Sequence, residues 1–326
     1  MKSRLHFAHL PTPVEPMPRL SAALQGPRLF VKRDDQTGLA FGGNKTRKLE
    51  YLLADAREQG ADTLISAGAI QSNHCRQTVA AATRFGMDCT LVLFGDPPPT
   101  PDANHLLHFL LGAQVVYTQR ELINEKLEEV FQKTSAEGKN PYLIPYGGSN
   151  PVGAMGYVNA MLELALQDVR PDWIIFPSSS GGTQAGMLVG ARLSGYRGKI
   201  LGISVDEPAD VLRANVARLA TQTTTAMGKD WTFSPDEVLV NDAYTGGGYA
   251  VMGQPEIEAI QLFARREALL LDPVYTGRCG AGMIDLIRQG FFDPSETLLF
   301  WHTGGGPALF ASRYQSRLLE GLENFS

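Results

Sequence analysis

Lys45 follows two glycines in the run Phe41-Gly42-Gly43-Asn44-Lys45-Thr46-Arg47-Lys48, where a helical pattern begins. Glycines let backbone and ligand approach closely. The lysine therefore has three roles open to it: a solvated charge, a phosphate ligand, or an amine nucleophile towards a carbonyl. The run is not a P-loop, because the first glycine of GxxxxGK[ST] is missing and none directly precedes Lys45. A second candidate is Ser66-Ala67-Gly68-Ala69-Ile70-Gln71-Ser72-Asn73-His74, which leads from a strand through a polar turn into a helix. Ser72 and Asn73 fall at the N-cap, where free N–H groups suit an anion such as a substrate carboxylate, although plain capping uses the same residues.

The third segment is Ser178-Ser179-Ser180-Gly181-Gly182-Thr183, placed between the apolar run WIIF and a helix. Its small residues leave backbone amides uncovered, which makes a nest for a phosphate at a helix start. The spacing does not fit GxGxxG, so a phosphomonoester suits it better than a dinucleotide. Nearer the C-terminus, Tyr249 ends the glycine run 246–248, Tyr275 lies in LDPVYTG, and the apolar LLFW runs into His302-Thr303-Gly304-Gly305-Gly306. In a parallel sheet, ligands collect where such loops leave the carboxyl ends of strands. Singly, each tyrosine reads as a packed aromatic and His302 as a structural histidine. His105 and His108 share a helix face with no third ligand nearby, so no metal is expected. Taken together, a lysine, a phosphate cup, a carboxylate-binding helix start and two tyrosines are what pyridoxal phosphate chemistry on an amino acid requires.

Short β-branched runs at 28–32, 63–66, 90–94, 114–117, 142–145, 173–176, 200–205 and 297–301 are expected to be strands. Between most of them lie helical patterns at 46–59, 73–85, 102–111, 122–136, 153–166, 183–193, 209–226, 254–267 and 280–289. That alternation predicts an α/β fold with parallel sheets covered by helices on both faces. Runs such as IIF and LLF lack alternation, as doubly buried strands should.

At 326 residues with 44% hydrophobic and 19% charged residues, the chain has the make-up of a globular enzyme and not of a disordered segment. A net charge of −5 supplies no field for nucleic acid or an anionic membrane. Three cysteines at unrelated spacings, with no signal-like or membrane-length apolar run, lead to the expectation of a cytoplasmic protein without disulfides.

The motifs GGNKTRKLEYLLADA, SAGAIQSNHCRQTVA, SSSGGTQAG, LDPVYTG and WHTGGGPALF resemble, in this order, those of the D-cysteine desulfhydrase and 1-aminocyclopropane-1-carboxylate (ACC) deaminase family. The resemblance spans about residues 10–310. It implies the tryptophan-synthase-β-like fold of pyridoxal phosphate enzymes (fold type II), with two open parallel-sheet lobes. Residues 1–49 and 159–326 would form the large cofactor-binding domain, and 50–158 the small one. The resemblance implies that Lys45 carries pyridoxal 5'-phosphate, that Asn73 lies beside its ring, and that Ser180, Gly181, Gly182 and Thr183 hold its phosphate. It also implies Thr303 near the pyridine nitrogen and a substrate pocket of Gln71, Ser72, Asn73 and His74 with Tyr249 and Tyr275. Lys45, Ser72 and the two tyrosines would be the catalytic set, in a homodimer that acts on a small amino acid.

Two positions separate the branches of that family. ACC deaminases carry Glu after the tyrosine of DPVY, and Leu where this chain has Thr in HTGG. Here those positions are Thr276 and Thr303, as in the desulfhydrases. A carboxylate beside the pyridine nitrogen keeps it protonated, whereas a hydroxyl supports a neutral ring and a weaker electron sink. A weaker sink suffices when a good leaving group departs from Cβ. The resemblance thus implies α,β-elimination on D-cysteine, a carbon–sulfur lyase activity giving pyruvate, hydrogen sulfide and ammonia. The alternatives are an L-cysteate sulfo-lyase, which GNKTRKLE and GSNPxGAxGYVN resemble as closely, then ACC deaminase or a non-catalytic cofactor-binding protein.

Overall fold

A computed structural model describes residues 3–320; residues 1–2 and 321–326, the outermost parts of the expected large domain, lie outside the described residues. In chain order the elements are β1 (Val14–Pro16), α1 (Pro18–Leu24), β2 (Arg28–Lys32), α2 (Asn44–Glu58), β3 (Thr63–Ala69), α3 (Asn73–Arg84), β4 (Asp88–Phe94) and α4 (Ala103–Leu110). They continue with β5 (Gln114–Thr118), α5 (Ile123–Ala136), β6 (Pro141–Leu143), α6 (Pro151–Ala165), β7 (Trp173–Ser178), α7 (Gly182–Ser194) and β8 (Lys199–Ser204). The last are α8 (Ala209–Ala226), β9 (Leu239–Asn241), α9 (Gln254–Glu267), α10 (Thr276–Arg288), β10 (Thr297–Trp301) and α11 (Ser312–Glu320).

Two sheets organise these elements. One has six strands in the order β1-β2-β10-β7-β8-β9, and the other has four in the order β5-β4-β3-β6. All pairings are parallel except that of β1 with β2, so the expectation of wholly parallel sheets needs one correction. The exception is an edge strand that follows Pro11 and Pro13 and ends on Pro16, where no central ladder has to be completed. Helices cover both faces. On the larger sheet one face packs α9 and α10, and the other packs α6 and α7. On the smaller sheet α2 and α3 lie to one side and α5 to the other. Strands β3, β4, β7 and β10 are buried almost throughout, which accounts for their unalternating apolar sequences.

The helix that bears Lys45 is pinned by charge as well as by apolar packing. Arg47 on α2 donates to both oxygens of Asp34 at 2.9 Å and to both oxygens of Glu163 at 2.9 Å. Tyr157 and Trp301 add hydrogen bonds of 2.6 and 2.8 Å to the buried Asp34 carboxylate. Removing one partner from such a set would strand a buried charge, so the set fixes where α2 begins. The three cysteines are free and buried: Cys75 and Cys89 in the core under the smaller sheet, Cys279 in that of the larger one.

Candidate active site

The loops that leave β3, β7 and β10 at their carboxyl ends meet the start of α2 around one cleft. Its walls include Asn44, Lys45, Ser72, Asn73, His74, Ser180, Gly181, Thr183, Tyr275 and Thr303. The convergence depends on glycine. Gly43 has φ +125° and Gly304 φ +89°, and a Cβ on Gly304 would stand 2.6 Å from the Gly43 Cα. That contact lets Asn44 N–H donate to the Thr303 carbonyl at 3.0 Å, which stitches the lysine loop to the HTGGG loop.

The cleft floor is basic. Lys45 is walled by protein yet open to the cleft, and its amine is pushed down to about 8, chiefly by burial. One turn on, the fully buried Lys48 donates to the Gly147 carbonyl at 3.0 Å and the Ser149 hydroxyl at 3.4 Å. Burial, and then Lys45, hold it well below the usual lysine range. His74 is joined through Nε2 to the Ser66 hydroxyl at 2.9 Å and has no partner at Nδ1. Burial, followed by the two lysines, holds its pKa well down. Among the described residues no carboxylate lines this cleft.

Across the cleft, α7 starts at Gly182 behind Gly181, which adopts φ +80° and offers no side-chain cap. Ser180 and Thr183 place hydroxyls at the same helix end, where Ser149 holds Ser180 at 2.7 Å and Asn44 reaches Thr183 at 3.4 Å. Gly182 is the one residue of this turn that is absent from the cleft wall. It packs on Ser149, where a Cβ would lie 2.8 Å from the Ser149 Cα.

At the start of α3, Ser72 caps the helix by accepting from Cys75 N–H at 3.2 Å. Asn73 Oδ1 accepts from Arg76 at 3.0 Å and from Asn104 at 2.9 Å, so its amide nitrogen is the end left for the cleft. Gln71 and Tyr249 line an adjoining cleft, which shares Asn73 and Tyr275 with the first. The Tyr249 and Tyr275 hydroxyls are 2.9 Å apart, and burial carries both pKa values well above 10. Arg120 lies over the Tyr249 ring at 5.9 Å and approaches Asp206 to 3.8 Å.

Thr276, which the resemblance singled out, lies off the cleft, and two residues at the site were not singled out. The Thr276 hydroxyl donates to the buried Asp272 carboxylate at 2.7 Å. His302 is structural as read: its Nε2 meets the Leu270 carbonyl at 3.2 Å and its Nδ1 accepts from Gly304 N–H at 3.2 Å. Tyr146 and Lys48 stand at the site without having been picked out. The signal for Tyr146 was its position just past a short strand, and that for Lys48 its place one turn after Lys45.

A buried lysine, a second lysine without an acid, an uncapped helix start and two hydroxyls make a donor set that fits a phosphate beside an amine-reactive aldehyde. The comparisons agree with that chemistry. A model of the pyridoxal-phosphate dependent enzyme family matches residues 5–304, and the chain belongs to that family. Pyridoxal phosphate is its cofactor. Among solved structures, the chain is similar to one described as an ACC deaminase homologue, with 35% identity over 98% of this chain and 96% of that one and a TM-score of 0.89. A fungal L-serine ammonia-lyase from Rhizomucor miehei shares the fold at 15% identity, covering 96% of this chain and 99% of that one, with a TM-score of 0.70. So does a pyridoxal 5'-phosphate-dependent aspartate racemase at 17% identity, covering 90% of each chain, with a TM-score of 0.65.

Proposed function

We propose that the protein is a carbon–sulfur lyase that eliminates sulfide from D-cysteine and releases pyruvate and ammonia. The observation that carries this reading is that, among the described residues, no carboxylate lies on the cleft wall, where Thr303 stands instead. When bound, pyridoxal phosphate supplies a ring that draws off negative charge from the amino acid's Cα. A hydroxyl in place of a carboxylate at the ring nitrogen would support a neutral ring and a weaker sink, which is enough when sulfide leaves from Cβ.

In this reading Ser180, Thr183 and the amide of Gly181 hold the phosphate, Gly182 sets the turn from behind by donating its N–H to the Ser149 hydroxyl at 3.3 Å, and Asn73 turns its amide nitrogen to the ring. The amides of Gln71 and Asn73 where α3 opens bind the substrate carboxylate, with the Ser72 hydroxyl beside them and His74 behind. The pKa directions divide the proton work. Lys45, near neutrality at about 8, takes the Cα proton on Nζ. Tyr275, held protonated and bonded to Tyr249, gives its hydroxyl proton to the departing sulfur, which carries away the Cβ–S electron pair. Each sheet with its helices forms one lobe, divided at residues 50–158, in a cytoplasmic homodimer.

ACC ring opening is the second reading, favoured by the 35% identity to the ACC deaminase homologue. Pyruvate release from D-cysteine, L-cysteate and ACC separates the cases. Turnover of D-cysteine alone is expected. Efficient turnover of ACC overturns the desulfhydrase reading, and turnover of L-cysteate without D-cysteine moves the protein to the sulfo-lyases.

A further inference from the structure

Between the two sheets the adjoining cleft has Gln71, Asn73, Asp102, Tyr249, Tyr275 and Ser312 in its walls. Gln71 presents neither end of its side chain to that space. Its Nε2 donates to Asp102 Oδ1 at 2.7 Å, and its Oε1 accepts from Asn104 N–H at 3.0 Å. Asn104 Nδ2 also donates to the Gln71 carbonyl and to Asn73 Oδ1, both at 2.9 Å. Arg76 completes the set with bonds to Asn73, to Asn104 at 2.7 Å and to the Gly42 carbonyl at 2.8 Å. The turn that opens α3 is therefore held from behind by the segment 102–104.

That segment is itself attached to the other half of the molecule. Asp102 Oδ2 accepts the backbone N–H of Ser312 at 2.6 Å, where α11 begins. The next residue, Ala103, takes φ +45°, a conformation unfavourable for a residue with a Cβ. A strained residue persists only where its surroundings impose it. Here it adjoins the residue whose carboxylate bonds Gln71 and Ser312 at once.

We propose that Asp102 is a positioning residue that ties the turn opening α3, through Gln71, to α11 of the other half, so that substrate binding depends on this link more than the chemical step does. The proposal rests on the reading that the turn 71–73 binds the substrate carboxylate. Asp102 touches neither cofactor nor substrate; it acts through Gln71 and Asn104. Loss of the link leaves Lys45, the phosphate turn and the tyrosine pair in place. It lets the turn and α11 shift apart, which weakens binding while leaving the rate of the bound complex almost unchanged.

Ser312→Pro removes the N–H and little else. Proline is favoured in the first turn of a helix. The preceding Ala311 has φ −69° and ψ 127°, which suits a residue before proline. Ser312→Ala keeps the N–H and is the control. In the holoenzyme, Ser312→Pro is expected to raise KM about three- to tenfold, the scale of one lost hydrogen bond, with kcat within about twofold and cofactor content unchanged. Ser312→Ala should match wild type. Asp102→Ala should raise KM at least as much, and the double change Asp102→Ala with Ser312→Pro no more than Asp102→Ala alone. Asp102→Asn, which preserves shape, supplies the same comparison if Ser312→Pro does not fold. An unchanged KM, effects that simply add, or a fall confined to kcat overturns the link. The ratios are read with whichever amino acid the wild type turns over, so a wild type inert to D-cysteine overturns the substrate assignment and leaves the link to be judged by its own ratio.

Discussion

Lys45 and Lys48 stand one helical turn apart on α2, and among the described residues neither is paired with a carboxylate. Two amines this close, set in protein and facing an uncapped helix start, leave excess positive charge that an anionic ligand must balance. The phosphate of the cofactor answers that need, and burial brings the reactive amine down to about 8, so that far more of it is neutral near physiological pH than for an exposed lysine.

Titration of the apoprotein should show this. Burial favours the neutral form of Lys45, so the folded chain gives up its proton near 8, against an ordinary value of 10.5. The rate at which apoprotein takes up pyridoxal phosphate covalently should rise with pH and level off above about 8, because the neutral amine is the nucleophile. Between about 8 and 10.5 the unfolded chain holds a proton that the folded chain has lost, so apoprotein stability should rise across that window. Borohydride reduction and peptide mapping should place the cofactor on Lys45; a label on Lys48 contradicts the assignment.

The phosphate turn is best tested at Thr183. Thr183→Val should weaken cofactor retention by about tenfold or more, the scale of one charge-assisted hydrogen bond, with little change in the unfolding midpoint. Absorbance titration of apoprotein measures the first quantity and thermal unfolding the second. A side chain at Gly182 is the poorer probe, since its Cβ would meet Ser149 and disturb packing as well as binding.

Much of this site was legible because its parts sit where a strand gives way to a helix through small polar residues. The turns at 71–73 and 178–183 and the loop after β10 advertise themselves by composition, and a parallel sheet gathers them. Tyr146 opens a comparable small-residue run, 146–150 before α6, but it follows a strand of only three residues, which made that turn less conspicuous. Strands β1 and β9 are also three residues long, too short for a periodic signal. Helix α1 begins at Pro18 and has seven residues, and its placement owes more to packing against α9 and α10 than to its own pattern. Thr276 shows the opposite failing. The resemblance marked it as a position that separates the branches, but the partner that claims its hydroxyl, Asp272, is identified only in three dimensions.

That pairing sets the outcome of a branch-swapping change. Thr276→Glu would bury a carboxylate against Asp272, itself fully buried, and remove a hydroxyl that both donates to Oδ1 and accepts from Asp272 N–H at 2.7 Å. A loss of about 3–5 kcal/mol in urea unfolding is expected, the scale of an uncompensated buried charge. Thr303→Leu, made at the cleft wall, should alter cofactor absorbance and turnover with a much smaller effect on stability. Equal stability of Thr276→Glu and wild type would show that the turn at 272–276 rearranges freely.

The tyrosine pair should act as proton donor, not base. With both pKa values well above 10, no tyrosine ionisation should appear in the pH–rate profile below about 10. Tyr275→Phe should lower kcat about 10²- to 10⁴-fold while changing KM far less. Tyr249→Phe, which removes only the partner at 2.9 Å, should cost less. A Tyr249 variant worse than the Tyr275 variant would reverse the two roles.

The buried cysteines give the molecule a pair of internal clocks. Alkylating reagents attack the thiolate, and burial pushes Cys75 up to about 12 and raises Cys89 and Cys279 as well, so the native chain withholds all three. Modification at neutral pH then waits for the surrounding core to open. Cys75 and Cys89 report the core of the four-stranded sheet, and Cys279 reports that of the six-stranded one. Alkylation followed peptide by peptide therefore times the opening of each half without an added probe, and adding cofactor should slow whichever clock belongs to the half it braces.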